Sequence, residues 1–225
     1  MVAADFNPPR LVIKPTETVT WWNQSIYDHT VTAYEKRIPE GAAYFSSGGF
    51  ESEEQARNDG DAKLISDGGL YRHTFEVPGH YHYFCIPHET WDTMAGTIIV
   101  TTPDGEIPEP PEVVIPDTDH VVQMGPHSYF PEELTIQTGE SVGWVNGTGI
   151  AHSVTASSIP DGAAYFASGG FVSETAARRD WGGPREGDVL PSAPFTHTFE
   201  TVGEYEYYCI LHDLWMRGTI TVRSA

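Results

Sequence analysis

Two short stretches of the chain carry a thiol, an imidazole and a thioether at close spacing. In Gly79–Ile99, Cys85 is followed three residues on by His88 and then by Met94; in Gly203–Thr221, Cys209 is followed by His212 and Met216. A histidine lies far upstream of each set in a matching context. His29 sits in Asp28-His29-Thr30-Val31-Thr32-Ala33, and His152 in Ala151-His152-Ser153-Val154-Thr155-Ala156. One thiolate, two imidazoles and a thioether form a soft, low-coordinate donor set that suits copper in an electron-transfer role. The plain alternative is a Cys85–Cys209 disulfide. It is disfavoured because the two cysteines occupy the same place in two copies of one motif, and equivalent points of tandem domains rarely touch.

These donors have to be held by strands. Alternation points Cys85 inward with Tyr81 and Tyr83 at the end of an aromatic strand. The chain then turns at Ile86-Pro87, presents His88 and Met94 from one loop, and begins another strand at Gly96. His29 comes from a distant strand end. A site assembled this way changes little when a metal changes oxidation state, which is what an electron carrier requires.

The motif is part of a longer repeat. Met1–Trp21 aligns without a gap with Met124–Trp144, Ile38–Phe45 with Ile159–Phe166, Ser47–Phe50 with Ser168–Phe171, and His73–Glu76 with His197–Glu200. This is duplication of a whole domain of about a hundred residues. The expected division is residues 1–101, a linker 102–119 and residues 120–225. The linker is rich in proline and carries six acids and no base, so it reads as extended and semi-stiff; Pro108, Pro110 and Pro111 disfavour helix and central strand. Within each copy, short Val/Ile/Thr/aromatic runs punctuated by Gly and Pro predict an all-β sandwich. Ser52 followed by acids, mirrored at Ser173, predicts an N-capped helical turn in a long connection.

The chain has 32 acidic against 12 basic residues, a net charge of −20, and its acids are spread evenly, 14 in residues 1–101, 6 in 102–119 and 12 in 120–225. An even spread fits a halophile-type surface whose self-repulsion is screened by salt; an acidic mesophilic protein is the alternative. Nucleic acid is excluded as a partner, because phosphate binding needs basic patches. No run of eighteen apolar residues predicts a membrane span, and no leader is visible. The expectation is an extracytoplasmic domain pair, secreted or membrane-anchored through a removed signal or anchor, from a halophilic prokaryote.

Both halves resemble cupredoxins, in particular the halocyanin and plastocyanin type. The resemblance rests on Phe130-Pro131, the Glu-x-Val-x-Trp-x-Asn strand (Glu17–Asn23, Glu140–Asn146), the isolated His29 or His152, His-Thr-Phe-Glu, Gly-x-Tyr-x-Tyr-x-Cys and the following Met. It implies two tandem Greek-key β-sandwich domains with two type 1 coppers per chain. His29, Cys85, His88 and Met94 would hold one copper, and His152, Cys209, His212 and Met216 the other. Thr30 and Ser153 would tie the two ligand loops together. The loops depart from the family pattern of four residues between His and Met: the first has five, Glu89–Thr93, and the second three, Asp213–Trp215. The departure predicts unequal axial bonds and potentials, and leaves open a methionine that only packs or a different axial atom.

Other residues admit two readings. His73 and His197 lie in mid-strand and read as structural. His80 and His82 point away from Cys85, and Glu204 and Glu206 replace them in the second copy; they are solvated surface or an additional copper or zinc site. Trp91 and Trp215 either pack over the metal or form an apolar docking patch around the histidine edge. His120 and His127 have no informative context. Cupredoxin-type enzymes join a catalytic copper to the blue centre through a histidine beside the cysteine. Here the flanking residues are Phe84 and Ile86, and Tyr208 and Ile210. The expectation is therefore a carrier passing electrons between a redox-protein donor and acceptor of the cytochrome or oxidase type. The rivals are an enzyme reducing nitrite or oxygen with a third copper at His80 and His82, and a copper store, for which four methionines are too few.

Overall fold

A computed structural model describes residues 5–59, 64–90, 94–181 and 187–225. The chain divides into two compact units, Met1–Pro111 and Glu112–Ala225. The Pro/acid stretch 102–119 carries neither helix nor strand. Its first part belongs to the first unit and its last part to the second, because its apolar residues are used: Ile107 and Pro108 line a groove with His80, His82 and Ile99. In the second unit, Val114 N–H donates to Pro191 O at 2.8 Å.

The first unit contains β1 (Arg10–Ile13), β2 (Thr18–Trp22), β3 (Thr32–Ala33), α1 (Glu53–Asn58), β4 (Leu70–Thr74), β5 (Gly79–Phe84) and β6 (Ala95–Val100). One sheet runs β1-β6-β5-β3, with β1 parallel to β6 and the other pairs antiparallel; β2 and β4 form the second sheet. Strict alternation in β2 sends Val19 and Trp21 inward. There the edge of Trp21 meets Tyr83 at 5.4 Å, with Phe45 and Phe75 around them. Cys85 and Met94 belong to this same buried cluster, so the donor loop is built onto the core.

The second unit contains β7 (His120–Met124), β8 (Tyr129–Phe130), β9 (Glu133–Gln137), β10 (Ser141–Asn146), β11 (Thr155–Ser158), α2 (Glu174–Asp180), β12 (Phe195–Thr198), β13 (Gly203–Tyr208) and β14 (Arg217–Arg223). Its sheets are β11-β13-β14-β9 and β12-β10-β7-β8. Trp144 repeats the part of Trp21, meeting Tyr207 edge-on at 5.4 Å.

Two features fix the mouth of each donor loop. Gly96 stands opposite Tyr83 and Gly218 opposite Tyr207. A Cβ at Gly96 would lie 2.5 Å from the Tyr83 ring and one at Gly218 would lie 2.3 Å from Tyr207, so only glycine lets the strand after the loop come this close. Each short helix is capped as its sequence predicts. Ser52 Oγ accepts from Gln55 N–H at 3.2 Å and Ser173 Oγ from Ala176 N–H at 3.1 Å.

Candidate metal centres

Each centre forms where the strand carrying the aromatic run stops. After β5 the chain makes a single 3₁₀ turn, Ile86–His88, in which His88 N–H donates to Cys85 O at 3.1 Å. The loop is closed by Cys85 N–H to Met94 O at 2.9 Å and Met94 N–H to His88 O at 3.1 Å. The second unit repeats the scheme with a shorter loop. His212 N–H donates to Cys209 O, Cys209 N–H to Met216 O at 3.0 Å, and Met216 N–H to His212 O at 2.8 Å. Unequal loop lengths therefore close on the same backbone pairing.

The upstream histidines arrive at the cysteines. Cys85 Sγ lies 3.6 Å from His29 Nδ1 and 3.3 Å from His88 Nδ1. Cys209 Sγ lies 3.8 Å from His152 Nδ1 and 3.5 Å from His212 Nδ1. Among the described residues these are the two groups in which three such donors come within 4.8 Å of one another. Met94 and Met216 are fully buried next to them. Both cysteines are free, so no disulfide joins the two motifs.

Hydrogen bonds lock the donors in place. Thr30 N–H donates to Cys85 Sγ at 3.3 Å, and Thr30 Oγ1 accepts from Ile86 N–H at 2.8 Å. Ser153 does the same, its N–H to Cys209 Sγ at 3.4 Å and its Oγ accepting from Ile210 N–H at 2.9 Å. One residue thus binds the upstream strand to the donor loop and supplies an N–H to the sulfur. Asn23 and Asn146 brace the loop before each upstream histidine. Asn23 Nδ2 donates to Tyr27 O and Asn146 Nδ2 to Ile150 O, while their Oδ1 atoms accept from Ser25 and Thr148 N–H. Ser25 Oγ also lies 2.8 Å from His29 Nε2, which orients the ring so that Nδ1 faces the sulfur. In the sequence the two asparagines stand out only as part of a strand pattern. Their recurrence at the same repeat position was the signal of a role.

Burial sets the electrostatics. It pushes both thiols up to about 11. It pulls His29 down to about 4, with His88 adding to the effect, and His212 to about 4, with His127 adding. His29 and His212 therefore offer neutral lone pairs at ordinary pH. A thiolate in so apolar a place needs a cation beside it. Donor spacings of 3.3–3.8 Å agree with metal bonds of about 2.0 Å to nitrogen and about 2.3 Å to sulfur. Two imidazoles, a thiolate and a buried thioether nearby fit copper better than a hard cation.

The remaining sequence candidates fall elsewhere. Trp215 is 63% exposed, so it does not pack over its centre. Trp91 lies outside the described residues. His73 and His197 stack on Phe45 and Phe166 at 4.8 and 4.7 Å, as structural residues in the sheet. His80 and His82 are half-buried rather than solvated. Their groove-side positions bring His80 Nε2 to 2.8 Å from Pro108 O and His82 Nδ1 to 3.0 Å from Thr97 Oγ1, with the rings 6.5 Å apart. Burial, then Arg37 and His80, pull His82 down to about 4. His120 lies 3.0 Å from Glu140 Oε2, away from the metal groups. His127 sits against His212, with ring centroids 5.8 Å apart. No sequence signal marked that contact.

The model for copper binding proteins of the plastocyanin/azurin family matches residues 2–101 and, separately, residues 117–223. Plastocyanin of Scenedesmus fuscus is 35% identical over 95 residues, covering 42% of this chain and 85% of its own. Amicyanin of Paracoccus versutus is 30% identical over 108 residues, covering 48% of this chain and 67% of its own. The crystal structure of amicyanin from Paracoccus versutus aligns with a TM-score of 0.33 at 31% identity, over 48% of this chain and 85% of that one.

Proposed function

Because the chain belongs to the plastocyanin/azurin family of copper-binding proteins, we propose that it is a one-electron carrier with two type 1 copper centres, one in each unit. His29, Cys85, His88 and Met94 hold the first copper, and His152, Cys209, His212 and Met216 the second. Copper, when bound, supplies a single electron by alternating between Cu(II) and Cu(I).

The residues of the chain do the rest. Cys85 and Cys209 would hold the cation as thiolates, their thiol protons released to solvent. The four histidines present Nδ1, and burial keeps His29 and His212 neutral at ordinary pH. Thr30 and Ser153 fix each sulfur through an N–H and pin the loop through a hydroxyl, so the donors hold still as the charge at the centre changes. The two methionines close the pocket against water and place a thioether beside the cation, which tunes its potential. The observation that carries this reading is the convergence, twice, of the same three donors from the same three places in the repeat.

The carrier exchanges electrons with redox proteins of the cytochrome or oxidase type. The chain works outside the cytoplasm, where a surface charge of −20 is screened by salt. Among the described residues no helix is long and apolar enough to cross a membrane. A catalytic third copper at His80 and His82 is less well supported, since one nitrogen of each ring is engaged by Pro108 or Thr97. The test is copper quantitation with visible absorption on the wild type and on Cys85→Ser and Cys209→Ser. Two coppers per chain are expected, each substitution removing one copper and about half of the charge-transfer band. A substitution that leaves band and copper untouched removes that half from the reading.

A further inference from the structure

The two centres share their donors but not their access to solvent. His88 is half-buried, and among the described residues the edge of Tyr27 stands beside it outside the donor set, with centroids 6.4 Å apart. His212 is only 1% exposed, and its Nε2 is buried with no hydrogen-bond partner among the described residues. The side chain lying over it is His127, 5.8 Å between centroids and inclined at 70°. His127 is itself exposed.

Its position does not depend on the donor loop. His127 belongs to the turn between β7 and β8, closed by Gly125 N–H to Ser128 O at 2.8 Å. That turn is carried by β7, which pairs in parallel register with β10 from Val142 opposite His120 to Asn146 opposite Met124. The cap is therefore held by the sheet whether or not the loop is ordered. The ungapped repeat sets Ala4 against His127, so the first copy carries no ring at that position of its sequence.

We propose that His127 is a specificity-determining cap. It covers the ring edge of His212 and makes the His88 edge the faster port for exchange with soluble partners. The reason is distance: electron exchange falls off steeply with each layer of atoms between donor and acceptor, and His127 adds one layer at the second centre. The proposal rests on copper being held at both sites, as read above. Its steric half stands without copper.

Two experiments on the full-length chain test it. In the first, the metal-free protein is treated with diethyl pyrocarbonate and the acylated histidines are mapped by mass spectrometry. His88 is expected to react several-fold faster than His212, and His127→Ala to bring His212 up to the His88 rate. His127→Phe, which keeps a ring over the edge, is expected to protect His212 as the wild type does. In the second, hexaammineruthenium(II) delivers one electron to the copper-loaded protein, becoming ruthenium(III) as Cu(II) becomes Cu(I). Rates are compared at equal driving force, with the midpoint potential of each variant measured. Cys85→Ser, which keeps only the second centre, is expected to be reduced several-fold more slowly than Cys209→Ser. Adding His127→Ala to Cys85→Ser should remove the gap. Equal acylation of His88 and His212 in the wild type, or a His212 rate indifferent to His127→Ala, overturns the cap. Failure to load copper overturns the carrier reading instead, and the acylation pattern still decides the cap.

Discussion

The short helix of each unit reaches the residue next to the last histidine donor, and it does so in two different ways. In the first unit, Arg57 of α1 forks onto Glu89 at 2.7 and 3.0 Å, holds Glu53 at 2.9 Å and lies 4.1 Å over the Phe84 ring. Tyr34 O–H donates to the same Glu89 at 2.9 Å. The Arg57 and Glu89 side chains are 12% and 3% exposed. In the second unit, Arg178 makes a single 3.2 Å bond to Asp213, and these side chains are 44% and 31% exposed. The longer metal loop is thus fastened by a buried, bidentate clamp, and the shorter loop by a surface pair. A loop with more residues between its donors has more conformations to lose, and the stiffer fastening compensates for that. Burial still outweighs the arginine at Glu89, whose carboxyl is raised. The clamp is therefore strong as a pair and costly to break singly.

The largest effect should come from breaking it. Arg57→Ala leaves the buried Glu89 without its charge partner, with the Tyr34 hydroxyl still on it, and should destabilise the first unit by about 3–5 kcal/mol. Arg178→Ala in the second unit should cost less than about 1 kcal/mol. Hydrogen exchange resolved by peptide reads the two units separately, and equal losses would erase the distinction.

A second difference is the acid response. His82 faces Arg37, His80 and Thr97; its counterpart in the second unit is Glu206. Its folded pKa, about 4, lies below the ordinary histidine value. The unfolded chain therefore takes up the proton first. The stability is fully present above about pH 6.5 and is lost as pH falls towards 4, by up to about 3 kcal/mol. Calorimetry across that window should show a shallower loss in His82→Gln than in the wild type, and superimposable curves would count against it.

Where the units agree, the effects should agree. Thr30→Val and Ser153→Ala each orphan one loop N–H, of Ile86 or Ile210, and should cost about 1–3 kcal/mol apiece. Denaturant titration with the readout resolved by unit checks this, and a marked inequality would show that the two ties are not equivalent. The smallest effect is expected at Trp215. Its exposure predicts that Trp215→Ala changes stability by no more than about 0.5 kcal/mol. A larger loss in thermal unfolding would mean that the ring packs.

Much of this was legible in the chain. Alternation in Thr18–Trp22 and Gly79–Phe84, the Ser52 and Ser173 caps and the two Cys-x-x-His loops are local signals, and the duplication stated each of them twice. What the sequence hid are contacts across long separations without a shared spacing. Arg57 to Glu89 and His127 to His212 each join residues from different connections, and nothing periodic links them. The half-burial of His80 and His82 was hidden for a related reason. Alternation correctly turns them away from Cys85, but it does not say that Ile107 and Pro108 of the linker lie along that face.

The central claim is that one scaffold assembles two copper centres. Anomalous diffraction at the copper edge, on crystals of the copper-loaded chain, tests it most directly. Two peaks are predicted, one within bonding distance of Cys85 Sγ and the Nδ1 atoms of His29 and His88, the other likewise among Cys209, His152 and His212. A single peak, or one located at His80 and His82 in place of either cysteine, would contradict it.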